Sequence, residues 1–175
     1  MTVIPDLTRI ACDRALQRLA QGDTEALEII YHKLGRKIYM TAYAVLADTH
    51  AAEDVMQDTL LRLTEYAHAY RAGSNAVAYI LTVARRLAID TQQRRAREFP
   101  AEEIFGGDTA QEDGIPMREL EALRTLEEDD RQIVILRLDA GMKHRDIAAL
   151  LGITPAACEK RYQRALAKLR AYYRS

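Results

Sequence analysis

Apolar residues recur at helical spacing along most of the chain and alternate at strand spacing almost nowhere, which predicts an all-α fold. Leu27, Ile30, Leu34, Ile38, Tyr39, Ala42 and Leu46 fall on one stripe of a helix from Asp23 to about Leu46, with Gly22-Asp23-Thr24 as its start signal. A second helix is expected from Ala51 to about Tyr70, capped by Asp48 or Thr49 and turning Val55, Thr59, Leu60 and Leu63 inward. Gly73-Ser74-Asn75 interrupts the period. Ser74 or Asn75 then caps a third helix running to about Arg97, whose inward stripe is Val77, Ile80, Leu81, Ala84, Leu87 and Ala88.

The pattern lapses in "EFPAEEIFGGDTAQEDGIP", which holds prolines, glycines and acids without a sustained period and reads as a flexible linker. It divides the chain into an N-terminal helical domain over 1–97, an acidic linker over 98–117 and a C-terminal helical domain over 118–175. Beyond the linker, Leu120, Leu123 and Leu126 suggest one helix. Asp129 to about Ala140, carrying Ile133, Val134, Leu136 and Leu138, suggests another that ends at Gly141.

The last segment has a more specific grammar. A short helix from about Lys143 to Leu151 is stopped by Gly152, and Thr154 as N-cap with Pro155 at the first helical position starts the next. This is the layout of a helix-turn-helix, whose second helix enters the DNA major groove with its N-terminus leading. Cys158, Tyr162, Ala165, Leu166 and Leu169 share one side of that helix, while Lys160 and Arg164 lie roughly opposite, flanked by Ala157, Arg161 and Lys168. Small side chains at Ala156 and Ala157 permit close approach to base edges, and arginine grips guanine or phosphate. A basic solvated face on an ordinary helical hairpin is the competing reading of this segment. Glu159 runs against the basic pattern, since an acid beside phosphates weakens binding.

Charge refines this picture. The formal net charge is −1, but lysines and arginines against acids number 13 to 11 in residues 1–97, 1 to 8 in 98–121 and 11 to 7 in 122–175. Nucleic-acid binding requires a local basic face rather than a basic total, so the mildly basic flanks keep it open. Two distant cysteines, Cys12 and Cys158, argue against a disulfide framework and have no metal-ligand spacing. Cys158 on the apolar stripe reads as a small buried residue rather than a redox sensor. The four histidines are scattered, and no phosphate-cradling glycine loop or metal-binding helix pair occurs, so no catalytic constellation, cofactor or metal is expected. The N-terminus lacks the unbroken apolar region of a signal peptide and no window approaches a membrane span, which points to a cytoplasmic protein without membrane insertion.

Two surfaces in the N-terminal half remain unexplained by core building. In "AAEDVMQDTLLRLTEY", Glu53 and Asp54 suit the positive end of a helix dipole, but Gln57, Asp58 and the outward Leu61 do not need it and would form a docking patch for a basic partner. In the third helix, Tyr79 follows the polar turn "AGSN" and precedes Arg85 and Arg86, a combination suited to melted or single-stranded nucleic acid. Core packing of the tyrosine and dipole complementation by Arg94, Arg95 and Arg97 are the plainer alternatives.

Taken in order, "AAEDVMQDTLLRL", "AYILTVARRLAID" and "LEEDDRQIVILRLDAGMKHRDIAALLGITPAACEKRYQRALAKLR" resemble the second and fourth regions of bacterial sigma-70-type sigma factors, over about Thr24 to Arg170. The lack of other regions resembles the extracytoplasmic-function group. The resemblance implies a promoter-specificity subunit of RNA polymerase. Asp54, Gln57, Asp58 and Leu61 would dock on the clamp helices of the largest core subunit, and the first helices of the C-terminal domain would seat on the flap of the second-largest. Gly73, Ser74, Asn75 and Tyr79 would capture a flipped base of the non-template strand, with Arg85 and Arg86 on the melted −10 element. Arg161 and Arg164, beside Thr154, Ala157 and Lys160, would read the −35 duplex. The acidic linker would thread toward channels lined with basic groups, and an anti-sigma factor would restrain the subunit.

Departures from the family pattern are local. Tyr79 stands where tryptophan is frequent, Arg86 replaces a frequent asparagine, Glu127-Glu128 replace a proline-containing start, and Glu159 stands where lysine is usual. Two other readings stay open on the residues alone: a helix-turn-helix regulator that is no polymerase subunit, and a helical protein that only binds a regulator. "AEDVMQD" joined to "RRLAID" weighs against the first, because a repressor has no reason to carry that pair.

Overall fold

The computed structural model describes residues 6–99 and 115–175, all helical apart from turns. The body of the expected linker, residues 100–114, lies outside the described residues. The elements are α1 (Leu7–Ala20), α2 (Ala26–Leu46), α3 (Thr49–Tyr66), α4 (Ala76–Glu98), α5 (Met117–Arg124), α6 (Glu128–Leu138), α7 (His144–Leu151) and α8 (Pro155–Arg174).

Side-chain caps fix the starts of several helices. Asp6, Asp48, Asn75 and Thr154 accept from the backbone N–H groups of Arg9, Ala51, Ala78 and Ala157, so at each of four starts one otherwise orphaned donor is satisfied. Of the two candidates for each of the α3 and α4 caps, Asp48 and Asn75 are the ones used. α3 ends at Tyr66, four residues short of expectation, and a 3-10 turn over Ala67–Ala69 leads out of it. Gly141 and Gly152 adopt φ of 70° and 68°, closing α6 and α7 in the left-handed conformation that a side chain disfavours.

The helix α1 was not anticipated, although Cys12, Ala15, Leu16 and Leu19 form its buried stripe at helical spacing. It packs against α2, α3 and α4. Of the inward stripes expected for α2 and α4, Ile30, Leu34, Ile38, Tyr39 and Ala42 are buried in α2 and Ile80, Leu81, Ala84, Leu87 and Ala88 in α4, while Leu27, Leu46 and Val77 at the helix ends are half-buried against the core. Leu60 of α3 is only half-buried.

The most enclosed stretch is in α2, where every residue from Ile38 to Val45 is buried. A helix buried on all sides must be covered on all sides. α1, α3 and α4 cover three flanks, and α6 from the C-terminal half covers the remaining one. One apolar cluster therefore runs from Tyr43 and Val45 to Leu120, Leu123, Leu126, Val134 and Ile135. This explains a difference within α6. Ile135, which the apolar pattern did not single out, is 3% exposed against α2, whereas Leu138 is 60% exposed. A second, smaller cluster joins Ile133 and Leu136 of α6 to Ile147, Ala148 and Cys158 of the helix-turn-helix.

Polar groups tie the seam between the halves. The buried Arg131 guanidinium donates to the carbonyls of Ala44 (2.8 Å) and Leu126 (3.2 Å), at the C-terminal end of α2 where its dipole favours a cation. Tyr43 Oη donates to the Leu120 carbonyl, Gln92 to Glu128, and Arg36 pairs with Glu119 and Asp139.

Asp48 yields a stability prediction. Burial pushes its carboxyl upward, but the Ala51 N–H and the Arg95 guanidinium (2.9 Å) outweigh it and hold the pKa below its ordinary 3.8. A carboxyl depressed on folding stabilises above its unfolded pKa and loses that contribution as pH falls through the folded one. Asp48→Ala is expected to cost about 1 kcal/mol in urea denaturation at neutral pH, the typical value of a lost cap. The gap to the native chain should narrow below about pH 4, and a gap that widened there would reject the assignment.

Candidate polymerase and nucleic-acid interfaces

On α3 the structure separates core from surface along one helix. Val55, Thr59 and Leu63 are buried, while Asp54, Gln57 and Leu61 are exposed, Leu61 by 67%. Asp58 is half-buried and accepts from Arg62 Nε at 3.1 and 3.2 Å. An exposed pair of this kind, four residues apart, contributes only about 0.3–0.5 kcal/mol, so a partner's cation can replace it. Behind this face lies an open cleft of about 700 Å³ lined by Asp54, Asp58, Arg62, Arg94 and Arg95 among others. The helix thus presents acids and an apolar side chain outward together, as a docking patch requires.

The polar turn before α4 is built rather than loose. Gly73 takes φ of +80°, Ser74 Oγ donates to the Arg71 carbonyl at 2.6 Å, and Asn75 caps α4. Gly73, Ser74 and Asn75 are all exposed. Tyr79, one turn into α4, is only partly exposed: its hydroxyl donates to the Tyr66 carbonyl and its ring meets that of Tyr70 at 5.1 Å. Burial pushes the Tyr79 phenol up, with nearby Arg86 opposing the shift. The ring is therefore a fixed platform whose phenol remains a donor at neutral pH.

The basic residues of α4 diverge. Arg86 is exposed, but Arg85 donates to Gln132 Oε1 of α6 at 2.7 Å and is half-buried at the seam. Burial lowers the Arg85 pKa, and the acids Glu128 and Asp129 offset part of that. In this arrangement Arg85 is engaged by protein.

The same division holds in α8. Lys160 and Arg164 are exposed on the outer face, Thr154 caps the helix with Ala157 beside it, and Glu159 is exposed near them. Arg161, expected to join the basic face, instead donates to Asp130 (2.7 Å) and Asp129 (2.9 Å) at the start of α6. The Asp130 bond raises its pKa further, and the double pair braces α8 against α6. Sequence spacing placed Arg161 beside the basic face but carried no signal of acids more than thirty residues earlier. Cys158 is buried, 3.7 Å from His144 Nδ1, and burial raises its thiol pKa, as its apolar stripe implied. Cys12 is likewise buried and its thiol is pushed up to about 11. Among the described residues no group of histidines, cysteines and acids could hold a metal ion, and no helix is long and apolar enough to cross a membrane.

Comparison with known proteins supplies the context for these surfaces. The family model of sigma-70 region 2 matches residues 30–98, and that of sigma-70 region 4 matches residues 117–169. The chain is 26% identical over 162 residues to the RNA polymerase sigma factor CarQ of Myxococcus xanthus, covering 89% of this chain and 93% of CarQ. It is 29% identical over 140 residues to the ECF RNA polymerase sigma factor EcfG of Rhodopseudomonas palustris, covering 75% and 77%. In fold it is similar to the sigma factor RpoE crystallised with the anti-sigma factor NepR from Bartonella quintana, with a TM-score of 0.68, 24% identity and coverage of 82% and 94%. CnrH, solved with the cytosolic domain of CnrY, gives 0.65 at 22% identity, covering 92% and 96%. With regions 2 and 4 matched in order on α2–α4 and α5–α8, the chain belongs to the sigma-70 family, as a sigma factor of the extracytoplasmic-function type.

Proposed function

We infer that this chain is an alternative sigma factor that binds core RNA polymerase and directs initiation at promoters with −10 and −35 elements. The observation that carries the reading is the joint exposure of Asp54, Gln57 and Leu61, with the replaceable Asp58–Arg62 pair, on the helix of the region 2 match. These residues dock on the largest core subunit. The exposed turn Gly73–Asn75 with Tyr79 receives an unstacked base, Arg86 holds the melted strand, and Arg85 joins it once its bond to Gln132 is exchanged for a phosphate. On duplex DNA, Lys160 and Arg164 reach the major groove with Thr154 and Ala157 at the leading end, while Arg161 holds the helix in place. The subunit performs no chemistry of its own and acts in the cytoplasm, where the polymerase is.

RpoE with NepR is a sigma factor in complex with an anti-sigma factor, which supports a protein antagonist for this chain as well. Co-purification of the chain from its own cells, read by mass spectrometry, should recover polymerase subunits and one further small protein. Recovery of polymerase subunits alone would remove the antagonist from the account.

Asp58→Arg should weaken core-polymerase binding at least tenfold while circular dichroism stays helical, because it places like charge against a basic partner. Unchanged affinity in a pull-down titration would exclude this face. Arg164→Ala should cost about 1–3 kcal/mol in promoter affinity if the contact is bidentate to a base, with upstream footprint protection lost first. An unaltered footprint would assign Arg164 to the solvated surface.

A further inference from the structure

The turn that receives the base in the reading above is held from outside its own region by α1. Asp13 Oδ1 accepts from the Gly73 backbone N–H at 2.7 Å and from Tyr70 Oη at 2.6 Å, while Oδ2 accepts from Gln17 at 2.7 Å. Sixty residues of chain separate Asp13 from Gly73, so these bonds fix a tertiary geometry that local turn preferences do not. They act on the approach to the turn and on its first residue: Tyr70 closes the exit of the 3-10 segment, and Gly73 is the residue with positive φ. The Tyr70 ring, oriented by its hydroxyl bond to Asp13, is the ring against which Tyr79 packs. One carboxylate thereby sets the turn and, through Tyr70, the platform beside it. The hydrogen bonds from Tyr70 and Gly73 lower the Asp13 pKa, so the acceptor is ionised at neutral pH and the bonds are charge-assisted.

We propose that Asp13 is a positioning residue for −10 recognition: by clamping Gly73 and Tyr70 it preorganises the turn Gly73–Asn75 to accept an unstacked base, without touching DNA itself. The proposal rests on the base-capture reading of that turn. A site that must order its own loop on binding loses affinity for the base in proportion to the ordering cost, whereas contacts to the sugar-phosphate backbone elsewhere are unaffected.

The test uses holoenzyme assembled from core polymerase and the full chain. The probes are a fluorescent non-template strand carrying the −10 element of a promoter the holoenzyme uses, and the same strand with an abasic site at the captured position. The wild-type holoenzyme should favour the intact strand. Asp13→Ala should reduce that preference about fivefold to tenfold, leaving abasic-strand affinity and core-polymerase affinity unchanged. Asp13→Asn keeps an acceptor without its charge and should restore part of the preference. Tyr70→Phe removes one clamp hydroxyl while retaining the ring, and serves if the alanine variant fails to fold; it should reduce the preference in the same direction. Equal loss on both strands, or an unchanged preference in Asp13→Ala and Tyr70→Phe, would overturn the positioning role. If wild-type holoenzyme itself fails to distinguish the two strands at any position of the element, the base-capture reading falls, and the proposal falls with it.

Discussion

The eight consecutive buried residues of α2, Ile38 to Val45, are the constraint from which the rest of the molecule follows. α1, α3 and α4 leave one flank of this stretch to α6, and without that cover Met40 and Tyr43 would expose apolar area worth roughly 25 cal/mol per Å². α6 supplies the missing cover, and because its own apolar run "IVIL" is buried throughout, it serves α2 on one side and the helix-turn-helix on the other. Arg131 follows from the same geometry: a cation buried in that seam persists because the carbonyls of Ala44 and Leu126 satisfy it.

This architecture separates structural charges from charges left for partners. Arg131, Arg161 and Arg85 are consumed by carbonyls, by Asp129 and Asp130, and by Gln132 respectively. Arg86, Lys160 and Arg164 remain exposed, as do the acid Asp54 and the neutral amide Gln57 on α3. The net charge near zero thus conceals a partition: some basic groups are bonded to the protein's own carbonyls, amide and acids and hold the fold, while others stay solvated on outer faces. In the proposed function, the bond between Arg85 and Gln132 would couple full use of α4 on DNA to a change at the seam.

Local order was largely legible in the sequence, because caps, glycine stops and 3.6-residue stripes are short-range signals. Asp48, Asn75, Thr154 and Gly152 act where those signals put them. What escaped was set at long range. α1 has a readable stripe and an Asp6 cap, but its importance lies in Asp13, whose partners are near residue 70. Arg161 lies beside an apolar stripe and a basic face alike, and only the fold reveals acids opposite it. In α6 an unbroken apolar run has no face to choose, so Leu138 read as core and Ile135 was passed over.

Initiation by reconstituted polymerase bears most directly on the account. Core polymerase should be incubated with fragmented genomic DNA, with and without the chain, and the 5′ ends of the transcripts mapped. Start sites that appear only with the chain and share two upstream sequence elements at fixed spacing are expected. A set of start sites identical with and without the chain, despite formation of the holoenzyme, would contradict it.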